Sequence, residues 1–328
     1  MKRVGFLFEK TFTKESLFDA YLVASKGKHN KRQFFEFEKN LAHNIDLLYE
    51  SIHDGSYKPK KYFKFEVYEP KKRTIYAPAF RDIVVQHAIY KVIYPIFNKT
   101  FIDQSFACRV GYGTHKAADY AQESMRKSAI DSYTIKLDIR KFFYRIDRSV
   151  LRKLIEKKIK DKQFVDIMIL FCDYPDPIGI PIGNLLSQIY ALIFLNPLDH
   201  FIKRTLKIKY YCRYVDDFVL FDLTSDQCKC CLNKIREFIN KELNLQLSHY
   251  TIAKTIKGIN FVGYRTWRSK RFIRKRSLYI FKKALKNKLY KSLASCLGHA
   301  KRTHSLKRML TMIQEEINGN NLSVQKTH

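Results

Sequence analysis

The chain has 328 residues, 46% of them hydrophobic, with 62 Lys and Arg against 31 Asp and Glu, a formal net charge of +31 at pH 7. That length suffices for one large core or two to three smaller ones, and the positive excess goes beyond solubility and points to a polyanionic partner. Apolar runs such as Ile189 to Leu195 fall well short of the roughly 18 residues that span a bilayer, and no long apolar leader opens the chain, so nucleic acid is expected rather than a membrane.

In chain order, residues 1–30 are basic and weakly patterned. Phe34, Phe37, Leu41, Ile45 and Leu48 then recur at helical spacing, predicting one amphipathic helix from about Gln33 to Ser51, closed by an Asp54-Gly55 turn. Phe63, Phe65 and Val67 alternate with charged residues as in a strand, Pro70-Lys71-Lys72-Arg73 reads as a basic hairpin turn, and Thr74 to Ala77 as the returning strand. A helix is expected from Arg81 to about Tyr94, ended by Pro95. Tyr133 to Ile139 is another strand, and Asp147 a helix N-cap. Gly179-Ile180-Pro181-Ile182-Gly183 reads as a constrained loop feeding an apolar helix from about Asn184 to Lys203. Tyr210 to Phe221 reads as a β-hairpin, followed by a helix from Ser225 to Leu243 and strands at 245–249 and 259–264. From Phe272 the pattern is helical and basic, and the last ~10 residues have the small, polar composition of a disordered tail.

Seven scattered cysteines, an odd number, suit a reducing, cytoplasmic compartment. Cys228-Lys229-Cys230-Cys231 has no second Cys/His pair at zinc-site distance, so structural zinc is not expected.

Asp216 and Asp217 sit side by side in the hairpin, and Asp138 lies amid apolar strand residues. Adjacent carboxylates repel and resist burial, so the pair is either a solvated turn or a cation site. Asp138 on a neighbouring strand favours the second. Three such acids make an oxygen-rich site for Mg²⁺, and two ions about 4 Å apart drive in-line phosphoryl displacement. In so basic a chain, that predicts phosphoryl transfer on a polynucleotide.

Tyr214-Val215-Asp216-Asp217 resembles the YxDD box of reverse transcriptases, and Asp138-Ile139-Arg140-Lys141-Phe142-Phe143 resembles their first catalytic-aspartate motif. Arg73-Thr74-Ile75 with Arg81-Asp82, then Gln104 to Arg109 with Gly111 and Gly113, resemble the fingers motifs and the segment after them. Phe261-Val262-Gly263-Tyr264 resembles the primer grip. These boxes occur in the family's order. Ile178 to Gln188 carries Ile182-Gly183 and Ser187-Gln188 where most reverse transcriptases have Gln-Gly and Ser-Pro. That variant, with Ser295-Cys296-Leu297-Gly298-His299-Ala300, resembles the reverse transcriptases of diversity-generating retroelements, within the group II intron-like bacterial enzymes.

The resemblance implies an α+β right-hand polymerase fold. Residues 1–54 would be an N-terminal helical extension and 55–132 fingers with part of the palm. Residues 133–268 would be the palm, an antiparallel sheet carrying the acids with an interleaved fingers segment, and 269–328 a basic helical thumb and tail. It implies two Mg²⁺ ions, with Mn²⁺ as substitute, held by Asp138, Asp216, the Ile139 carbonyl and Asp217, the last alternatively neutralising the primer end. The incoming dNTP would meet Arg73, Lys72 (or Lys71), Phe143 as a steric block to a ribose 2′-OH, Ile182, Gly183 and Gln188. Lys254 is either the general acid to pyrophosphate or a surface cation. Phe261, Gly263 and Tyr264 would grip the primer, and Lys270, Arg271, Arg274, Lys275, Arg276, Lys282 and Lys283 the template–primer duplex. The implied partners are a template-repeat RNA, its RNA/cDNA duplex and a small basic oligomeric accessory protein. Retron, group II intron or antiphage-defence enzymes, and a silent RNA-binding scaffold, are the alternatives.

Overall fold

A computed structural model describes residues 3–68, 72–173 and 175–325. In order these form α1 (Leu7–Thr11), α2 (Lys14–Ala24), α3 (Arg32–Glu38), α4 (Leu41–His53), β1 (Phe63–Val67), β2 (Arg73–Ala77), α5 (Phe80–Asn98), α6 (Thr114–Lys127), β3 (Tyr133–Ile139), α7 (Phe142–Arg145), α8 (Arg148–Glu156), α9 (Lys162–Leu170) and α10 (Leu185–His200). A π-helical turn (Phe201–Thr205) leads to β4 (Tyr210–Tyr214), β5 (Asp217–Leu223), α11 (Ser225–Leu243), β6 (Leu247–Lys254), β7 (Ile259–Phe261), β8 (Tyr264–Thr266), β9 (Arg271–Ile273), α12 (Lys275–Lys286), α13 (Tyr290–Ala300) and α14 (Ser305–Gln325).

Two compact units interleave in sequence. Residues 1–102, 139–201 and 234–248 make the first, and 103–138, 202–233 and 249–328 the second. Of the expected segments, 1–54 lies wholly in the first unit and 269–328 wholly in the second, while 55–132 and 133–268 contribute to both. Residues 1–54 join the following hairpin and α5 because α2 lies along α5 and buries Leu17, Ala20 and Tyr21. The segment 269–328 joins the second unit, where Phe281, Leu293 and Met309 pack with Tyr264 of β8 and Ala118 of α6.

In the first unit, the single helix expected over 33–51 is two helices broken at Lys39-Asn40. The Asn44 side-chain amide donates to the Phe37 carbonyl at 2.9 Å, satisfying a carbonyl at the end of α3. The weakly patterned start is helical as well, with the Thr13 hydroxyl capping α2. Helix α5 runs through Pro95 to Asn98 instead of stopping there. Proline removes the N–H that would bond the carbonyl four residues back, so it costs α5 one hydrogen bond near its end without stopping it. Asp147 caps α8 through Ser149 N and Val150 N, as its position predicts. Helix α10 with its π-helical turn is long and apolar enough to cross a membrane, contrary to the reading from uninterrupted runs, but it is largely buried inside the protein.

The second unit is built on the sheet β4-β5-β3-β6, with β5 antiparallel to both neighbours. Cys212, Val219 and Phe221 pack on Ala117, Ala121 and Met125 of α6, and Phe261 closes that core. The strand expected over 259–264 is two strands, β7 and β8, joined by a tight turn at Val262-Gly263 and extended by β9. Helix α14 reaches Gln325 within the expected disordered tail; residues 326–328, like Pro70 and Lys71 of the expected basic turn, lie outside the described residues.

Candidate active site

The acids come together through strand register. Asp138 near the end of β3 pairs directly with Asp217 at the start of β5, and Asp217 pairs with Tyr214 on β4. Residues directly opposite share a face, so Asp138 and Asp217 project together. Val215 and Asp216 form the two-residue loop, and of the two only Val215 has positive φ, +57°. A β-branched residue there is strained by about 1–3 kcal/mol, in a turn position that favours glycine. The fully buried Arg213 donates from Nη1 to the Val215 carbonyl at 2.9 Å. Its own backbone bonds Gln104 O and Phe106 N, both at 2.9 Å, so the Gln104–Arg109 segment clamps the strand leading to the acids.

Asp217 carries the electrostatic signature. Burial first, then the charges of Asp138 and Asp216, push its carboxyl up to about 6, against the opposing pull of Lys136. The Lys136 ammonium sits 3.0 Å from Oδ2, while the buried Oδ1 has no hydrogen-bond partner among the described residues. Lys136 is two residues before Asp138 on the same strand face; period-2 reading of the sequence could have found it. Arg213, a cation inside an apolar strand, was an equally visible signal.

Among the described residues, no three carboxylate, imidazole or thiolate groups converge as a ready-made metal cage. A hard divalent cation nevertheless fits what is present: an orphaned carboxylate oxygen, two further carboxylates whose charges raise the Asp217 pKa, and oxygen-only donors. Ile139, whose carbonyl was expected to assist, is the buried last residue of β3. Lys254 is exposed at the end of β6.

The residues expected at the nucleotide lie in the first unit. Ile182 O accepts from Tyr76 N on β2 at 2.7 Å, and Ile180 N donates to Phe143 O at 2.8 Å. One loop thus ties the strand bearing Arg73 to the α7 segment bearing Phe143. Phe143 is half-buried, whereas Phe142 is core. Gly183 has φ +106°, and a Cβ there would fall 2.7 Å from Ile75 and 3.2 Å from Tyr76 O, so only glycine fits. Asn184 caps α10 through Leu186 N and also donates to Tyr62 and Phe171 O. Gln188 is exposed on α10, as is Arg73 on β2. Lys72 is paired with Glu66 at 2.9 Å. Asp82 of the Arg81-Asp82 motif is buried, holding Tyr57 and the Lys60 amide.

Phe261 and Tyr264 of the expected primer grip point into the core; Val262 and Gly263 between them are half-buried, and Val262 packs against the same cores. Arg271 leaves the set of duplex-binding cations: it is 3% exposed and bonds Asp119, Ala118 O and Gln122. Burial pushes the Asp119 carboxyl up, but the Arg271 and Arg302 guanidiniums overcome that and hold it below its usual range. Arg274 is half-buried, while Lys270, Lys275, Arg276, Lys282 and Lys283 are exposed.

The mixed α/β architecture with antiparallel sheets is that of a right-hand polymerase. The fold agrees: apo telomerase from Candida tropicalis superposes with a TM-score of 0.53 at 13% identity, covering 82% of this chain and 59% of that one, a likeness of fold alone. Residues 58–266 match the family model for reverse transcriptase (RNA-dependent DNA polymerase). The chain belongs to that family and is an enzyme of that class. Protein YkfC of Escherichia coli (strain K12) is 24% identical over 319 residues, 78% of this chain and 79% of YkfC. The group II intron-encoded protein LtrA of Lactococcus lactis subsp. cremoris is 27% identical over 178 residues, 51% of this chain but 29% of LtrA. The chain therefore spans under a third of that intron-encoded relative.

Proposed function

We propose that this reverse transcriptase serves a diversity-generating retroelement, copying a template-repeat RNA into cDNA with frequent errors at adenines. The observation that carries the subtype is Ile182: its carbonyl is fixed on Tyr76 N, and its neighbour Gly183 has no room for a side chain. An apolar group thus replaces a hydrogen-bonding one at an anchored position. Apolar sites discriminate far less than sites built on hydrogen bonds, so base selection there rests on shape.

In this reading Asp138 and Asp216, with Asp217 and the Ile139 carbonyl, hold two Mg²⁺ ions, and Mn²⁺ substitutes. When bound, the ions lower the pKa of the primer hydroxyl and neutralise the leaving pyrophosphate. Arg73 forks onto the triphosphate with Lys72 released from Glu66, Phe143 excludes a ribose 2′-OH, and Lys254 protonates the leaving group. The exposed cations of α12 hold the RNA/cDNA duplex in a reducing cytoplasm. The positive excess also suits the structured RNA, and a small basic oligomeric accessory protein completes the complex.

The likeness to LtrA favours a second reading, a group II intron-type enzyme without the adenine-directed errors. Primer extension on a defined RNA template decides. Retroelement activity appears as misincorporation concentrated opposite adenine, and Ile182→Gln lowers it. An error spectrum indifferent to adenine and to Ile182→Gln rejects the subtype, and absence of Mg²⁺-dependent extension rejects the catalytic reading in favour of a scaffold.

A further inference from the structure

The Ser295–Ala300 segment distinguishes this chain in sequence, yet its histidine has no part in the chemistry above and lies beyond the family match at 58–266. The structure places it on α13, stacked on the Tyr264 ring with centroids 4.4 Å apart and planes at 17°. His299 Nδ1 lies 3.0 Å from the Tyr264 hydroxyl, which also donates to the His299 backbone carbonyl at 2.9 Å. His115 Nδ1, near the start of α6, lies 3.2 Å from the same oxygen.

The other edge of the imidazole faces the turn. A Cβ on Gly263 would come within 2.9 Å of His299 Cε1 and 3.0 Å of Nε2, so the ring occupies the space a side chain would need. Gly263 itself has φ +89° and closes the β7–β8 turn. Burial holds the His299 pKa below its usual value, with a smaller push down from His115 against the upward pull of the Gly263 backbone. The neutral ring is favoured, and since the Tyr264 proton goes to the His299 carbonyl, it is a ring N–H at Nδ1 that donates to the Tyr264 oxygen.

One imidazole thus touches the last residue of the turn and the first of β8: it packs edge-on against Gly263 and hydrogen-bonds to and stacks on Tyr264. Tyr264 also belongs to the core that α12, α13 and α14 build. A displacement of α13 would be transmitted to the turn through a stacked ring pair, not through a flexible side chain.

We propose that His299 is the positioning residue of the Val262-Gly263 turn, locking it to α13 so that the turn meets the primer strand in one fixed conformation. This rests on the primer-grip reading of that turn. It predicts that the C-terminal helices act on primer placement through His299 and Tyr264 together, and that nucleotide binding is independent of the pair.

The test compares wild type, His299→Leu, Tyr264→Phe and the double variant, each checked for cooperative thermal unfolding. Two quantities are read: equilibrium affinity for a fluorescent RNA–DNA primed duplex without dNTP, and steady-state extension kinetics. Loss of one neutral hydrogen bond weakens duplex binding and raises the primer KM by about threefold to tenfold. The dNTP KM stays unchanged, and the double variant is no worse than either single one. Gly263→Ala shows the same defect, partly relieved by adding His299→Ala. Unchanged duplex affinity in both His299→Leu and Tyr264→Phe overturns the inference, as does a rise in dNTP KM with primer KM constant. Because duplex binding is read without chemistry, a wild type that binds but does not extend refutes the polymerase reading alone.

Discussion

Burial, with the charges of Asp138 and Asp216, pushes the Asp217 carboxyl up to about 6 against the pull of Lys136. Its folded pKa lies above the ordinary aspartate value, so the protonated form is favoured. The stabilising contribution is complete below about pH 4 and lost as pH rises through about 6. At neutral pH the metal-free protein carries that cost, and a cation bound there would relieve it. Mg²⁺ should therefore raise Tm more at pH 7.5 than at pH 5, and the acid limb of extension should sit near pH 6 at low Mg²⁺ and move down as Mg²⁺ rises. An acid limb independent of Mg²⁺ would detach Asp217 from the cation. Asp216→Ala should abolish extension while leaving RNA affinity intact, measured by filter binding. Val215→Gly should relax the strained loop and raise Tm, yet slow extension because Asp216 is held less tightly.

At the scale of elements, the loop before α10 couples β2 to α7 through two main-chain hydrogen bonds of 2.7 and 2.8 Å. Gly183→Ala should push Ile75 and the Tyr76 carbonyl away and raise the dNTP KM without altering duplex affinity. Equal changes in both would place the loop elsewhere in the mechanism. Arg271 joins β9 to α6, and its removal leaves a pocket of polar groups unpaired. Arg271→Met should cost about 2–4 kcal/mol of stability by denaturant unfolding. Such a loss belongs to packing, which is why Arg271 cannot serve the duplex as the sequence suggested.

At the scale of the whole molecule, the charge of +31 predicts duplex binding that weakens steeply with salt. Lys282→Gln with Lys283→Gln on exposed α12 should flatten the log–log salt slope by about 1–2, whereas substitution of buried Arg271 should leave it unchanged. A flat response in the wild type would separate the charge from nucleic acid.

The sequence by itself determined the class of chemistry. Adjacent acids in a hairpin, a third on another strand and an overwhelming positive charge are local or compositional facts, and local facts survive folding. The α8 cap at Asp147 and the span of α11 were legible for the same reason. Only the tertiary structure decided which groups meet. Register set Asp138 opposite Asp217 and gave Asp217 the unpaired oxygen. Burial turned Arg271, Phe261 and Tyr264 inward, and packing built each unit from interleaved segments of the chain. No periodicity announces that His299 closes on Gly263, because that contact joins residues 36 positions apart through a ring stack. The chemistry was written in residue types; its geometry comes from burial and strand pairing, which act between segments that the linear chain keeps apart.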